Sequence, residues 1–363
     1  MLTCPPIFSQ KEKTGSADGE FRAEMPTTPG WHRIPGTELK ALCPTDEAIQ
    51  GATGCRSVIE AWNGGVADTK RDRLIFWGGG HSDYFGNEVY ALDLRKGALS
   101  RLTDPSPVTN VNQCLESYTD GSPSARHTYG GLVYVPSQDA MFTFGGSKAS
   151  CGSMSTAIWK FDAGLKTWTS MEPHHGDTLS QAPGFVADFD ANSGMVFVSD
   201  RQNFLRYDPT SNTLKSVATL PETSYHLTGV IDAEHRLFLM AGYPGQFRAI
   251  EIGPHGKYGV HDWSHRVLGC DKLLNASFPG LAYDTDTKTV VAWLGGDSVI
   301  VFDAGKMSCQ EQMYSGGPGP AQEAGTGGRF RYFPSLKAFA VVNDWKEDAY
   351  VLRLASGNPL PRQ

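Results

Sequence analysis

The chain has 363 residues, of which 40% are hydrophobic, so it can form a sizeable core. Its formal net charge is −7 and it has no long basic run, which argues against nucleic acid as the main partner, because phosphate binding needs a clustered positive surface. No apolar run reaches about 18 residues, the length of a membrane-spanning helix, so we expect no membrane span.

The N-terminal region is predicted to contain a leader and one isolated strand. Residues 1–29 form a flexible polar leader in this interpretation, because they lack the apolar core of a signal peptide. The following segment, Gly30–Leu39, contains Trp31, which resembles Trp168 of a later predicted strand. This segment is therefore interpreted as an outer strand separated from the rest of its sheet.

A short motif recurs along the chain, in which alternating apolar residues end in an acidic or polar residue. Consecutive copies are spaced by 69, 46, 43, 52 and 50 residues, which is the period of a four-stranded propeller blade. An apolar strand and a Gly or Asp turn precede each copy, so each unit reads as four strands joined by short turns. The copies are Tyr90–Leu94, Trp159–Ala163, Leu205–Pro209, Arg248–Ile252, Ile300–Ala304 and Tyr350–Leu354.

These repeats predict an all-β fold, a single β-propeller domain over residues 30–363 with four antiparallel strands in each blade. Six blades match the six copies, and seven blades are the alternative if residues 105–125 form a degenerate blade. The last unit lacks its fourth strand, which Gly30–Leu39 would supply. Ring closure of this kind removes exposed sheet edges that would promote aggregation.

The cysteines indicate an oxidising compartment. Six of the seven fall into near-neighbour pairs and are predicted to form disulfides, which favours a secreted, periplasmic or extracellular protein. Seven reduced thiols in a cytoplasmic protein are the alternative. No zinc-type spacing occurs, so we predict no metal site and no required cofactor, although a structural calcium or zinc would be compatible with the sequence. The predicted pairs are Cys43 with Cys55, Cys114 with Cys151 and Cys270 with Cys309, and Cys4 is left over.

A candidate site is expected at one mouth of the central channel. The loops before each innermost strand and the loops between second and third strands share that face. Histidine transfers protons near neutral pH, tyrosine can act as acid or base, and arginine binds carboxylates bidentately. The predicted catalytic residues are His81, Arg126, His127, Tyr129 and His226. The predicted substrate-binding residues are Glu60, Tyr84, Asn87, Tyr243, Arg329, Arg331 and Trp345.

Each of these residues has a structural role as its alternative, and the functional roles are assigned as follows. His81 and His127 transfer protons, Tyr129 acts as acid or base, and Arg126 or Arg329 holds a carboxylate. Since residues two apart on a strand point the same way, His127 and Tyr129 are expected to share a side, as are Arg329 and Arg331.

Paired glycines after the second strands and aromatic–Asp third strands resemble Kelch-type propellers, the superfamily that includes galactose oxidase, over residues 30–355. The His, Tyr and Arg set at the mouth is similar in residue types to that of propeller-type ulvan and rhamnogalacturonan lyases. This resemblance implies a secreted carbohydrate-active propeller, namely a lyase that cleaves a uronic-acid-containing polymer by β-elimination. We expect an anionic polysaccharide or glycan as partner and a monomeric protein.

Two other functions remain open from the sequence. The alternative is a non-catalytic Kelch propeller that binds glycan or protein, with aromatic side chains stacking on sugar rings. The third hypothesis is a copper-radical oxidase like galactose oxidase, because Tyr225-His226 provides one Tyr-His dipeptide. Resemblance at the level of a common fold cannot choose among these functions.

Overall fold

A computed structural model of the chain describes residues 25–108, 113–253 and 256–355. Within these ranges, six four-stranded antiparallel sheets form a ring, and each innermost strand contacts the innermost strands of both neighbouring blades. The all-β fold with six blades is therefore confirmed. Residues 1–24 of the predicted leader, including Cys4, lie outside the described residues.

The first three blades follow one another along the chain, each running from the innermost to the outermost strand. The third strand of each carries one copy of the predicted motif. Blade 1 contains Gly65–Asp68, Arg73–Phe76, Tyr90–Asp93 and Ala98–Arg101. Blade 2 contains Leu132–Val135, Ala140–Phe144, Ile158–Asp162 and Thr167–Ser170. Blade 3 contains Val186–Asp190, Met195–Ser199, Asn203–Asp208 and Thr213–Thr219, and His175–Gly176 adds a short parallel fifth strand.

The last three blades repeat this order, and the sixth takes its outermost strand from the start of the chain. Blade 4 contains Thr228–Asp232, Leu237–Gly242, Gln246–Glu251 and Val260–Asp262. Blade 5 contains Gly280–Asp284, Thr289–Trp293, Ser298–Asp303 and Ser308–Met313. Blade 6 contains Phe330–Phe333, Ala338–Val341, Ala349–Arg353 and the N-terminal Gly30–Ile34.

The N-terminal strand closes the ring as predicted, although it is shorter than the sequence suggested. Gly30–Ile34 pairs antiparallel with Ala349–Arg353. Beyond Ile34 the chain turns away from the sheet, since the Thr37 amide and the Arg33 guanidinium both bind the buried carboxylate of Asp348. Trp31 packs edge-on against Trp293 at 5.9 Å, so an aromatic contact holds the closing strand on blade 5.

Short helices and one small ladder occupy the loops. The ladder, Arg126–His127 paired with Ser147–Lys148, joins two loops above blade 2. The described part of residues 105–125 is a loop with one isolated bridge, between Ser117 and Pro123, so the seven-blade alternative is wrong. The 3₁₀ helices are Leu39–Leu42, Glu47–Ile49, Pro136–Gln138 and Gly327–Arg329, and the single-turn α-helices are Ser57–Glu60 and Asp271–Leu274.

The core lies between adjacent blades, where the apolar faces of neighbouring sheets pack together. On the face opposite the candidate mouth, ion pairs tie the hairpin turns of adjacent blades to one another. Arg236 of blade 4 binds both oxygens of Asp190 in blade 3, at 2.6 and 2.7 Å, and Arg71 of blade 1 binds Asp139 of blade 2 in the same bidentate way. Bidentate pairs fix geometry as well as charge, so they hold neighbouring blades in register.

All three predicted disulfides are present: Cys43–Cys55, Cys114–Cys151 and Cys270–Cys309. The first two join loops to each other, and the third joins Cys270 to Cys309 of the outermost strand of blade 5. In the described ranges, no helix has the length and apolar character needed to cross a membrane.

A buried carboxyl group in blade 1 gives a testable pH dependence. Glu88 is fully buried and accepts hydrogen bonds from Tyr84 (2.7 Å) and Tyr90 (2.8 Å), and burial raises its pKa. Its stabilising contribution is therefore complete below the usual carboxyl pKa of about 4.3 and is lost as pH rises through the raised pKa. We expect Glu88→Gln to weaken the fall in stability that occurs as pH rises above the usual carboxyl pKa, measured by urea denaturation. An unchanged pH profile would contradict this account.

Candidate functional site

Two histidines, a carboxylate and two large aromatic residues meet above blades 1 and 2. His81 and His127 lie with ring centroids 4.8 Å apart, and Trp62 and Tyr129 lie 5.3 and 6.1 Å from the His127 ring. Asp83 Oδ2 is 3.0 Å from His127 Nε2. Loops that precede the innermost strands and the second-to-third-strand loop of blade 1 supply all five residues. We call this group the histidine cluster.

The two histidines differ in how they face solvent. His81 is exposed, whereas His127 is only 1% exposed and lies behind it. The His81 ring also packs close to Gly152, which follows Cys151 of the Cys114–Cys151 disulfide. His81 can therefore touch a bound molecule, and His127 acts behind it.

The electrostatics of the His127–Asp83 pair favour a neutral, oriented imidazole. Burial lowers the pKa of His127, and the hydrogen bond from His127 lowers the pKa of Asp83. At neutral pH the ring is then uncharged and donates its Nε2–H to the ionised carboxylate. Thr53 Oγ1 donates to Oδ1 of the same Asp83 at 3.4 Å, so the carboxylate is itself held in place. A fixed tautomer of this kind is typical of histidines at chemical sites.

Tyr129 and Phe278 adopt backbone conformations that are unusual for aromatic residues. Their φ angles are +50° and +45°, in the left-handed region, and their rings stack at 6.1 Å. Such strain persists only where surrounding structure enforces it, and it is concentrated at functional sites. Burial raises the pKa of Tyr129 to about 12, so its phenol stays protonated at neutral pH and is a weaker acid than a free tyrosine.

A second group, the tyrosine pair with His226, continues the site toward blades 4 and 5. Tyr225 and Tyr243 lie 3.8 and 5.4 Å from the His226 ring and are both exposed, Tyr243 by 48%. Ser277 Oγ is 2.7 Å from His226 Nδ1, and burial lowers the pKa of His226. Phe278 contacts both this group and Tyr129, so a series of ring contacts links the two groups. Phe278 is 2% and Tyr129 8% exposed, so these linking rings lie beneath the surface of the mouth.

Several predicted site residues are buried and already engaged. Arg126 is 0% exposed, binds Glu116 at 3.0 Å and donates to carbonyl oxygens of its own loops, so it cannot hold a substrate carboxylate. Arg329 is equally buried and donates to three carbonyl oxygens. Tyr84 binds Glu88, and Asn87 binds Ser106 and Pro123, both inside blade 1. We therefore assign structural roles to these four residues, in place of the predicted catalytic or substrate-binding roles.

Three further predicted residues lie near the mouth or the channel but apart from the histidine cluster. Arg331 lines the central channel, and its Nε–H donates to the carbonyl oxygens of Gly65 and Gly328. Glu60 pairs with the exposed Arg56 at 3.5 Å. Trp345 lies against Lys40 and Lys346 at the rim of blade 6. Glu60 therefore lies at the edge of the mouth, and Trp345 lies in blade 6, the blade that the N-terminal strand completes.

Two other arginines, Arg56 and Arg201, lie in loops on the mouth face and are partly exposed. Arg56 donates to the carbonyl of Thr53, the residue that supports Asp83. Arg201 donates to Thr223, in the loop that carries Tyr225 and His226. Their side chains are 45% and 23% exposed, and each lies near a carboxylate: Glu60 is 3.5 Å from Arg56, and Glu222 is 3.9 Å from Arg201.

Phe278 is a residue of this region that no sequence pattern indicated. It stands alone in a loop between Ser277 and Pro279, with no periodic pattern around it. A single phenylalanine of this kind reads as a core residue, and only the contacts across the ring reveal that it joins the two aromatic groups.

The structure also bears on the copper-radical hypothesis. A cross-link between cysteine and tyrosine needs a free thiol, and all six cysteines in the described ranges are in disulfides. Within those ranges, no group of three or more His, Cys, Asp or Glu side chains is arranged to hold a metal ion.

No protein-family model matches this chain, and no curated protein is significantly similar to it. The structure of the described residues is a six-bladed propeller, and the likeness to Kelch propellers and to polysaccharide lyases stays a resemblance.

Proposed function

We propose that this protein is a secreted, carbohydrate-active enzyme that cleaves a uronic-acid-containing polysaccharide by β-elimination at the histidine cluster. The observation that carries the proposal is the close grouping of exposed His81, the His127–Asp83 pair and protonated Tyr129. A base, an acid and a positioned imidazole are the groups that this reaction needs without a redox cofactor. The three disulfides agree with an extracellular location.

In the proposed reaction, His81 removes the proton from the carbon next to the uronate carboxylate. The electron pair of that C–H bond forms a new carbon–carbon double bond, and the bond to the glycosidic oxygen breaks. The Tyr129 hydroxyl gives its proton to the departing oxygen, which becomes the hydroxyl of the released chain. Two products result, one with an unsaturated uronate, and no water is consumed.

The remaining residues position the substrate and the base. Arg56 or Arg201 holds the uronate carboxylate, in place of the buried Arg126 and Arg329, because a guanidinium binds a carboxylate bidentately and acidifies the neighbouring C–H bond. The His127–Asp83 pair lies behind His81 and orients it, so His127 is a positioning residue. The exposed faces of Tyr225 and Tyr243 stack on sugar rings.

A non-catalytic glycan-binding propeller is the second candidate, and one observation favours it. Tyr225, Tyr243 and the half-buried Trp62 present aromatic rings on this face, which suits stacking on sugar rings whether or not a bond is cleaved.

The test is a panel of uronate polysaccharides, with the ultraviolet absorbance of the unsaturated product as readout. We expect His81→Ala and Tyr129→Phe each to lower kcat by at least about 100-fold, since a positioned acid or base contributes about that much or more. His261→Ala is the matched control, because His261 lies on an outer strand, bonded to Glu251, and its loss should leave the rate unchanged.

Retarded migration of the protein in a polysaccharide gel without any unsaturated product would favour the binding module. Full activity in both variants would contradict the assignment of acid and base. If His261→Ala lowered kcat as much as the two site variants, the loss of activity would be due to impaired folding.

A further inference from the structure

A cavity opens on the face of the ring opposite the histidine cluster and continues into the central channel. Its volume is about 300 Å³, and residues from the innermost strands of all six blades line it. Exposed, uncharged residues of the hairpin turns form its rim, among them Pro136, Ala233 and Thr285. This volume is at the lower end of the range for ligand sites, so the cavity suits a small molecule.

Two side chains of opposite charge line this cavity from opposite sides of the ring. Arg331 belongs to blade 6 and Asp188 to blade 3, which are three blades apart in either direction. Both side chains are partly exposed, and their charged atoms attract each other although they are more than 4.0 Å apart. The other charged lining residue, Asp190, is 1% exposed and bound by Arg236. A gap therefore separates one available cation from one available anion.

Both charged groups have hydrogen-bonding capacity left. The Nε–H of Arg331 is held by two carbonyl oxygens, while no acceptor in the described ranges bonds to its Nη1 or Nη2. Asp188 accepts the amides of Phe189 at 2.9 Å and Ile231 at 2.8 Å, one on each carboxylate oxygen, and each oxygen has a second lone pair. Burial lowers the pKa of Arg331 and raises that of Asp188, so a partner of opposite charge would stabilise each group.

The rest of the cavity wall is mainly apolar. Ala67, Phe189 and Tyr283 line it and are partly exposed. A ligand that crosses the gap meets a cation at one end, an anion at the other and apolar surface between them. An ω-amino acid has the complementary order of groups: a carboxylate, a methylene chain and an ammonium group. Its net charge of zero also matches the cavity, whereas a simple anion or cation would be repelled by one of the two groups.

We propose that the central channel binds a small zwitterion of the ω-amino acid type, with its carboxylate on Nη1 and Nη2 of Arg331 and its ammonium group on Asp188. A guanidinium binds a carboxylate through two parallel hydrogen bonds, which orients the ligand along the gap. This site is separate from the histidine cluster, and binding there does not depend on the proposed cleavage reaction.

The test is calorimetry with glycine, β-alanine, γ-aminobutyrate and δ-aminovalerate, a series in which the two charges move apart by one methylene group at a time. We expect one length to bind best. The matched carboxylate and the matched amine, each lacking the other charge, should bind at least about tenfold more weakly, a difference equivalent to about 1.4 kcal/mol. Failure of the whole series to bind would overturn the inference. Equal binding of the matched carboxylate would also overturn it, in favour of a plain anion site.

Two variants remove the charges one at a time. We expect Arg331→Gln and Asp188→Asn each to weaken the best amino acid by at least about tenfold, while Asp188→Asn should not weaken the matched carboxylate. Arg206→Gln is the control, because Arg206 is partly exposed on the third strand of blade 3 and does not line the cavity. Unchanged affinity in Asp188→Asn, or an equal loss in the control, would overturn the inference.

Thermal denaturation shows whether each variant is folded, because Arg331 also holds two carbonyl oxygens of the chain. Arg331→Lys keeps the charge and loses the planar fork, so we expect its affinity to lie between those of the wild type and Arg331→Gln. If Arg331→Gln does not fold, Asp188→Asn and the single-charge ligands decide the inference.

Discussion

Replacing Gly80 with alanine is expected to dismantle the histidine cluster. Gly80 has a φ of +102°, and a Cβ atom at this position would lie 1.6 Å from Cδ2 of His127 and 1.8 Å from its Nε2. Those atoms face Asp83, so the imidazole ring cannot move away without losing its hydrogen bond to the carboxylate. His127 is also 1% exposed and enclosed by Trp62 and Tyr129, which leaves it no room on the other side.

We expect Gly80→Ala to lose about 2 to 4 kcal/mol of unfolding free energy, because overpacking, backbone strain and a broken buried hydrogen bond add together. Urea denaturation measures this loss. If the proposed function holds, kcat on a uronate polymer should also fall by about 100-fold or more, since the base loses its support. In the proton NMR spectrum, the His127 signals should shift, whereas those of the distant His261 should not.

Gly121→Ala separates the steric effect from backbone strain. Gly121 also has a positive φ, of +82°, but a Cβ atom there would meet nothing within 4 Å. Only the strain term applies, and we expect a loss of about 1 kcal/mol with unchanged His127 signals. Similar losses in the two variants would show that contact with His127 is not the cause.

The sequence was sufficient for the fold because each blade carries its own local pattern. The third-strand motif, the turns between strands and the Trp31 segment all repeat at a spacing that only a ring of blades explains. The cysteine pairs followed from proximity along the chain, and all three are confirmed. These features depend on residues that are close together in the chain, so they can be predicted from the sequence alone.

The candidate site could be predicted only in part, because side-chain direction in loops does not follow strand alternation. Arg126 and His127 are neighbours on a two-residue strand and point in different directions, as alternation predicts, Arg126 to Glu116 and His127 to Asp83. Alternation predicts that His127 and Tyr129 share a side. Their rings do meet, but through the left-handed turn at Tyr129 and not through a continuous strand. The correct contact therefore had a different physical cause.

Arg329 and Arg331 show the opposite outcome of the same reasoning. Arg329 ends the 3₁₀ helix Gly327–Arg329 and Arg331 belongs to the strand Phe330–Phe333, so alternation does not relate their directions. A glycine-rich segment before a strand does not reveal where the strand begins, and one residue of error reverses the face of every side chain. Arg329 consequently has a structural role that the sequence did not indicate.

Arg329→Met is expected to be the most destabilising single substitution where blades 1 and 6 meet. The guanidinium donates to the carbonyl oxygens of Asn63 before blade 1, Gly325 before blade 6 and Val342 at the end of a blade 6 strand. It thus joins the first and last blades at the innermost level, while Gly30–Ile34 joins the chain ends at the outermost level. Burial lowers the pKa of Arg329 to about 9, and the group remains charged at neutral pH.

Methionine approximates the length of the side chain but leaves all three carbonyl oxygens buried without donors. We expect a loss of about 3 to 5 kcal/mol in urea denaturation, because each unsatisfied buried group costs about 1 to 3 kcal/mol and some relaxation offsets the sum. Arg329→Lys should recover only part of the loss, since one ammonium cannot reproduce the planar fork. Arg266→Ala, at an exposed arginine, should change stability by less than about 0.5 kcal/mol. A loss as small as that of the control would contradict this account. It would mean that the free-energy cost of burying the Arg329 guanidinium cancels the contribution of its three hydrogen bonds. Ring closure would then depend on the N-terminal strand.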